Sequence, residues 1–430
     1  MLRLVSLFGI LALLGLCLLF SRDRRRVPWR LVATGLSMQL ALGLLFLYWP
    51  QGNAALQRFG RGVSHFLDLA QAGTGFVFNA LADPQRVGAV FGPDNGFIFA
   101  FMVLPTLIFF CSFMSVLYHL GVMQRIVRAM AWVTVRALGT SGAESLSACA
   151  NVFVGQTEAP LLVRPFLPGM TKSELHTVMV GGFATIAGGV FALYVGFVGG
   201  NDEARRALVA GHLMVASVMA VPAGLVCSKI LWPETEVPKT LGRVVGVEIE
   251  RNANVVEAAA AGASDGLKLA LNVAAMLIAF LGLVAVLDWL LAFVPLREAG
   301  GERPLLSVRY LLGWVFWPIA AVMGVAWQDV QSLGQLLGAK LAVTELVAYG
   351  DLGKMIEAGS IRPRTAMIAS FALCGFANFG SVAIQIGGLG AMAPGRRSDL
   401  SRLGLRAMFG GAIATCMTAC FAGVLSAEEA

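Results

Sequence analysis

The chain has 430 residues, 57% of them hydrophobic and only 13% charged, with a mean hydropathy of +0.77. A soluble domain is about one quarter charged, so this composition excludes an ordinary soluble protein and describes a polytopic membrane protein. The net charge of +7 does not point to nucleic acid, because much of the Lys and Arg sits in short clusters beside apolar spans, as orientation in a bilayer requires.

Residues 2–20 are apolar and are followed by Arg22, Arg24, Arg25, Arg26 and Arg30. A signal peptide carries its positive charge before the apolar core. Here the arginines follow it, so a retained span is expected, with its end in the cytoplasm and its start outside. Residues 31–50 return outward. Residues 51–96 mix charges with aromatics, and an interfacial amphipathic helix is expected at 54–80. Residues 97–121 are uncharged and long enough to span. Residues 124–138 are basic and amphipathic.

Residues 144–170 contain Glu144, Glu158, Arg164, Pro160 and Pro165 among short apolar stretches. Two half-length helices meeting at a turn, a re-entrant hairpin, are expected. Such backbone is tolerated at membrane depth only where protein or water surrounds it. Residues 174–199 read as a glycine-broken span, 201–206 as a polar outer loop, and 208–232 as a span. Residues 234–266 read as a cytoplasmic linker carrying an amphipathic helix, and 267–295 as a span. Residues 306–327 are aromatic and apolar, a span or a lipid-facing helix. Lys340, Glu345, Asp351 and Lys354 then punctuate 333–358 like a second hairpin. A glycine-broken span at 364–393 and a last span at 403–426 follow.

The order of charged hairpin, broken span and final span thus occurs twice. Paired interrupted segments in corresponding positions point to an inverted-repeat transporter with its site at the repeat interface. The fold class expected is an all-α polytopic membrane protein with about eight transmembrane helices and two re-entrant hairpins. Residues 1–138 and 267–332 would form a scaffold. Residues 139–233 and 333–430 would be the transport repeats, joined through the linker at 234–266.

Four polar clusters are expected to converge: Asn151 with Gln156-Thr157-Glu158; Thr185 among glycines; Thr344-Glu345; and Cys374-Gly375-Phe376-Ala377-Asn378 with Ser381. Amides, carboxylates and an aromatic face suit a polyhydroxylated or heterocyclic solute. Unwound carbonyls with Asn and Thr oxygens suit a hard cation such as sodium. Each residue also has a plainer reading. Asn378 also reads as no more than a helix cap, Glu345 as the partner of Lys340 or Lys354, and Thr185 as bonded to its own backbone. Phe376 is more often core than ligand contact. Glu158, a carboxylate among apolar residues, needs a partner. The seven cysteines read as small hydrophobes. With no HExxH, no GxGD aspartate pair and no nucleophile beside a base, an intramembrane hydrolase has little support, and no enzyme or cofactor is expected.

The segments Gly155–Leu161, Glu345–Tyr349 and Cys374–Ser381 resemble the signatures of the concentrative nucleoside transporters, and the Gly-Trp-Val-Phe-Trp-Pro segment at 313–318 lies in that family's order. The resemblance implies a homotrimer in the plasma membrane, of the bacterial sodium-coupled type, with both termini periplasmic, importing a nucleoside with a cation. It implies that Gln156, Thr157 and Glu158 address the nucleobase, with Val190 and Phe376 alongside, and that Glu345, Asn378 and Ser381 address the ribose. It implies a sodium site at Asn151, the Val154 carbonyl, Thr185 and the Ile186 carbonyl. Three positions depart from the family pattern. Thr185 stands where sodium-binding members have Ser, Thr344 where Asn is usual, and Gly380 where Ser is common. These bear on specificity and coupling strength. Proton-coupled members exist as well, and there Glu158 or Glu345 would be the proton site. Asn151 favours sodium.

Overall fold

The computed structural model describes residues 1–92, 98–102, 104–200, 202–243, 253–293 and 306–426. Among these residues there is no strand. The helices in chain order are α1 (Leu2–Leu19), α2 (Trp29–Gly43), α3 (Pro50–Phe78), α4 (Pro84–Phe91), α5 (Phe99–Met102), α6 (Leu104–His119), α7 (Val122–Leu138), α8 (Gly142–Ala150) and α9 (Lys172–Ala184). There follow α10 (Gly188–Gly199), α11 (Glu203–Leu231), α12 (Val255–Leu291), α13 (Val308–Val322), α14 (Val330–Ala342), α15 (Glu345–Glu357), α16 (Pro363–Leu373), α17 (Phe379–Met392) and α18 (Arg397–Leu425).

Seven helical stretches among the described residues are long and apolar enough to cross a membrane. They match seven of the eight expected spans. The remaining one, 364–393, is divided into α16 and α17, of 11 and 14 residues, and neither reaches that length by itself. Burial sorts the spans. In the most apolar 18-residue window of the stretch formed by α9 and α10, 94% of the residues are buried, against 6% in that of α12. A helix apolar all round but covered on few sides faces lipid, so α12 is peripheral, packed on α6, while α9, α10, α11, α16 and α18 form the interior.

The glycine-broken spans are broken where expected, at residues 185–187 and 374–378. The segment at 333–358 folds as two helices: α14 and α15 meet at Val343-Thr344, and the Thr344 hydroxyl caps α15 by accepting from the Val347 N–H.

The first hairpin differs. Only its first arm, α8, is an α-helix; the return arm consists of turns and short 3-10 segments at Ala159–Val163 and Leu167–Gly169. Pro160, Pro165 and Pro168 lie in that arm. Each removes a donor and crowds the preceding turn, so an α-helical ladder cannot persist. The linker differs too. Residues 255–266 are not a separate amphipathic helix but the first turns of α12, and 244–252 lie outside the described residues. The polar loop is shorter than expected: the Asp202 side chain caps α11 by accepting from the Ala204 and Arg205 N–H groups, so 203–206 are already helical. Asn201 lies outside the described residues, as do residue 97 at the start of the third span and 294–295 at the end of the sixth.

The base of the first hairpin is tied by a buried polar network. Capping boxes at Ser141–Glu144 and Thr171–Glu174 start α8 and α9, each satisfying two orphan N–H groups. The Ser141 hydroxyl donates to Glu174 at 2.6 Å, and the Lys229 ammonium of α11 lies 2.7 Å from Glu144. All seven cysteines are free, six of them buried.

Candidate substrate and ion site

The two breaks meet. The N–H of Phe376 donates to the carbonyl of Thr185 at 3.2 Å, so the unwound part of one broken span satisfies the unwound part of the other. Gly375 permits this approach. A Cβ there would fall 2.6 Å from the carbonyl oxygen of Phe183, closer than side chains come. Breaking both helices frees backbone groups at membrane depth, where water cannot satisfy them, and crossing the breaks satisfies part of that need.

Around the crossing, several expected residues are brought together. The Asn378 side chain does two jobs. Its oxygen accepts from the N–H of Ser381 at 2.8 Å, capping α17, and its nitrogen donates to one Glu345 oxygen at 2.9 Å. The other Glu345 oxygen accepts from the Tyr194 hydroxyl at 2.9 Å. Glu345, 5% exposed, therefore sits as an acceptor between two donors, as a buried carboxylate requires. It forms no ion pair with Lys340 or Lys354 among the described residues. The Lys340 ammonium instead donates to the carbonyl of Ala372 at 2.8 Å and the hydroxyl of Thr415 at 2.9 Å, near the end of α16.

Gln156, in the return arm that follows α8, donates to the Ser381 hydroxyl at 3.1 Å, so that arm and α17 are bonded directly. Phe376 is buried beside them, and Val190 is buried in the first turn of α10. Thr157 is partly exposed, with its methyl 3.3 Å from where a Cβ on Gly388 would be. Glu158 is exposed, and its carboxylate makes no hydrogen bond or ion pair among the described residues. The partner that its charge calls for is not found among the described residues.

The oxygens expected to hold a cation also have distinctive surroundings. Asn151, fully buried, donates its amide hydrogen to the Ser147 carbonyl at 3.0 Å, while its side-chain oxygen has no hydrogen-bond partner among the described residues. The Thr185 hydroxyl donates to the Gly181 carbonyl at 2.9 Å, which leaves its lone pairs free. Val154 and Ile186 lie outside the helices, and neither carbonyl accepts a backbone hydrogen bond among the described residues. A buried acceptor without a donor is costly unless a cation or water meets it.

Tyr194 and Gln385 were not anticipated. Each is a polar side chain inside an apolar stretch, the same signal that singled out Glu158. Gln385 also lies one turn beyond Ser381, on the same face of α17. Tyr194 stacks on Tyr349 at 4.3 Å, and Tyr349 donates to the Ser370 carbonyl at 2.7 Å.

Known proteins share this architecture. Residues 212–423 match the Na+ dependent nucleoside transporter C-terminus, 8–81 the N-terminus of the same family, and 100–201 a nucleoside recognition segment. The chain belongs to the concentrative nucleoside transporter family. It is 43% identical to an uncharacterized transporter of Haemophilus influenzae over 97% of both chains. It is 42% identical to human solute carrier family 28 member 3 over 99% of this chain, spanning 60% of that longer protein. Among solved structures, CNTnw in an inward-facing substrate-bound state is 41% identical with a TM-score of 0.90, covering 99% of this chain and 98% of the other. A doubly substituted CNTnw in an outward-facing state is 40% identical with a TM-score of 0.89 over the same shares. This concentrative nucleoside transporter is thus a multi-pass membrane protein of a transporter family, not an enzyme, and the hydrolase reading is set aside.

Proposed function

We propose that the chain imports nucleosides across the plasma membrane in symport with sodium, by alternating access of the two hairpin-bearing repeats against a scaffold formed by residues 1–138 and 267–332. One observation carries the choice of ion. The side-chain oxygen of Asn151 is fully buried and has no partner among the described residues, and Thr185 presents lone pairs because its hydrogen is committed to Gly181. With the carbonyls of Val154 and Ile186, this donor set is all neutral oxygen, which suits a weakly charged hard cation.

The substrate assignment follows the hydrogen-bond chemistry. Glu345 and Asn378 supply a carboxylate and an amide that suit ribose hydroxyls, with Ser381 beside them. Gln156, Thr157 and Glu158 address the base, with Phe376 and Val190 as apolar walls. The same reading includes a homotrimer with both termini outside, which intact-complex mass measurement and terminal labelling test. Uptake of labelled uridine into proteoliposomes is expected to require an inward sodium gradient. Equal uptake driven by a proton gradient alone would overturn the coupling. The carboxylate of Glu158, without a partner among the described residues, favours that second reading, with Glu158 or Glu345 as the proton site, and the proton-gradient arm decides between the two.

A further inference from the structure

Gln385 is 1% exposed in α17. Its amide nitrogen lies 3.2 Å from the carbonyl oxygen of Met179 and 3.0 Å from Oε1 of Gln156. A backbone carbonyl has no hydrogen to give. The nitrogen edge of Gln385 must therefore face Met179, and its two hydrogens serve two acceptors, Met179 and Gln156. That fixes the second amide in turn: the oxygen of Gln156 faces Gln385, and its nitrogen faces the Ser381 hydroxyl at 3.1 Å. Turning either amide, or both, sets oxygen against oxygen or nitrogen against nitrogen at least once. Helix α9 is shaped for the pair. A Cβ on Gly182 would fall 2.6 Å from the Gln385 nitrogen and 2.9 Å from the Cβ of Gln156.

Gln156 therefore offers a fixed pattern, with one uncommitted amide hydrogen on one edge and one remaining oxygen lone pair on the other. A base whose edge carries acceptor and donor in the complementary order is matched. A base with the order reversed meets donor against donor. Uridine and cytidine differ in this respect: uridine has a carbonyl at C4 and an N–H at N3, and cytidine has an amino group at C4 and a bare nitrogen at N3. We infer that Gln385 is a positioning residue that makes transport discriminate between oxo- and amino-bearing bases, by holding the Gln156 amide against rotation. This rests on the reading that Gln156 addresses the nucleobase.

The test is sodium-driven uptake of uridine and of cytidine by the full-length protein in proteoliposomes, with kcat/KM for each. In Gln385→Met, which keeps the volume and loses both donors, the ratio of the two values is expected to move towards one by about two- to tenfold, the worth of one neutral hydrogen bond. The sodium activation curve should stay unchanged. Gly182→Ala, which crowds the same amides, is expected to shift the ratio likewise, and serves if Gln385→Met does not fold. In a Gln156→Met background, Gln385→Met should add nothing, because the effect passes through Gln156. If both nucleosides slow alike and the ratio holds, Gln385 only packs, and the inference falls while transport stands. A wild-type ratio near one overturns it as well. No uptake of either nucleoside by the wild type overturns the transport reading itself, and this inference with it.

Discussion

The N–H of Phe376 donates to the carbonyl of Thr185 at 3.2 Å, which joins the break in one interrupted span to the break in the other. Phe376 is an expected base contact and Thr185 an expected cation ligand. One hydrogen bond thus links the two halves of the site, and a shift at either break is felt at the other through rigid, close-packed backbone.

The crossing depends on a missing side chain. Gly375→Ala places a methyl group 2.6 Å from the Phe183 carbonyl, so the breaks must separate. Overpacking of this kind costs about 1–3 kcal/mol. A lower melting temperature in detergent is expected, together with loss of uptake. Wild-type melting and wild-type uptake would show that the approach is not needed.

Glu345 accepts from both Asn378 and Tyr194. In Glu345→Gln the carboxamide can satisfy only part of that pattern and no longer offers a charged acceptor to a substrate hydroxyl. A hydrogen bond to a charged group is worth about 1.5–3 kcal/mol, so kcat/KM should fall by roughly tenfold to a hundredfold or more while the protein stays folded. Uptake titrations and melting measured side by side check it.

Thr185 offers its lone pairs because its hydrogen goes to Gly181. Thr185→Val keeps the shape and removes the oxygen. The sodium concentration for half-maximal uptake should rise by about tenfold, on the order of one lost ligand contact. Thr185→Ser should retain sodium activation. A sodium curve unmoved by Thr185→Val would remove this residue from the ion site.

Lys229 and Glu144 are 4% and 1% exposed and 2.7 Å apart. Removing one partner of a buried pair leaves the other charge uncompensated, at a cost of about 3–5 kcal/mol. Lys229→Met should therefore melt well below the wild type. The double variant with Glu144→Leu should recover part of the loss, and thermal unfolding of the purified variants reads both.

The sequence alone determined the elements whose cause is local. Twenty-residue apolar runs became helices, because a backbone in lipid must bond within itself. The spans broke near their glycines, and the second hairpin turned at Thr344, a good cap. The polar residues at 151–158, 185, 345 and 374–381 stood out because polar groups are costly in such a chain. Family membership was visible in three short motifs.

What the tertiary structure decided are pairings between segments far apart in the chain. Nothing local says that Glu345 takes Tyr194 and Asn378 rather than Lys340, or that Lys340 serves Ala372 and Thr415. Nor does the local sequence lead from Met179 through Gln385 and Gln156 to Ser381. Residue types fix which groups need partners. Only the packing of helices fixes which partner lies within hydrogen-bond distance, because hydrogen-bond energy is confined to close approach and carries no signature along the chain.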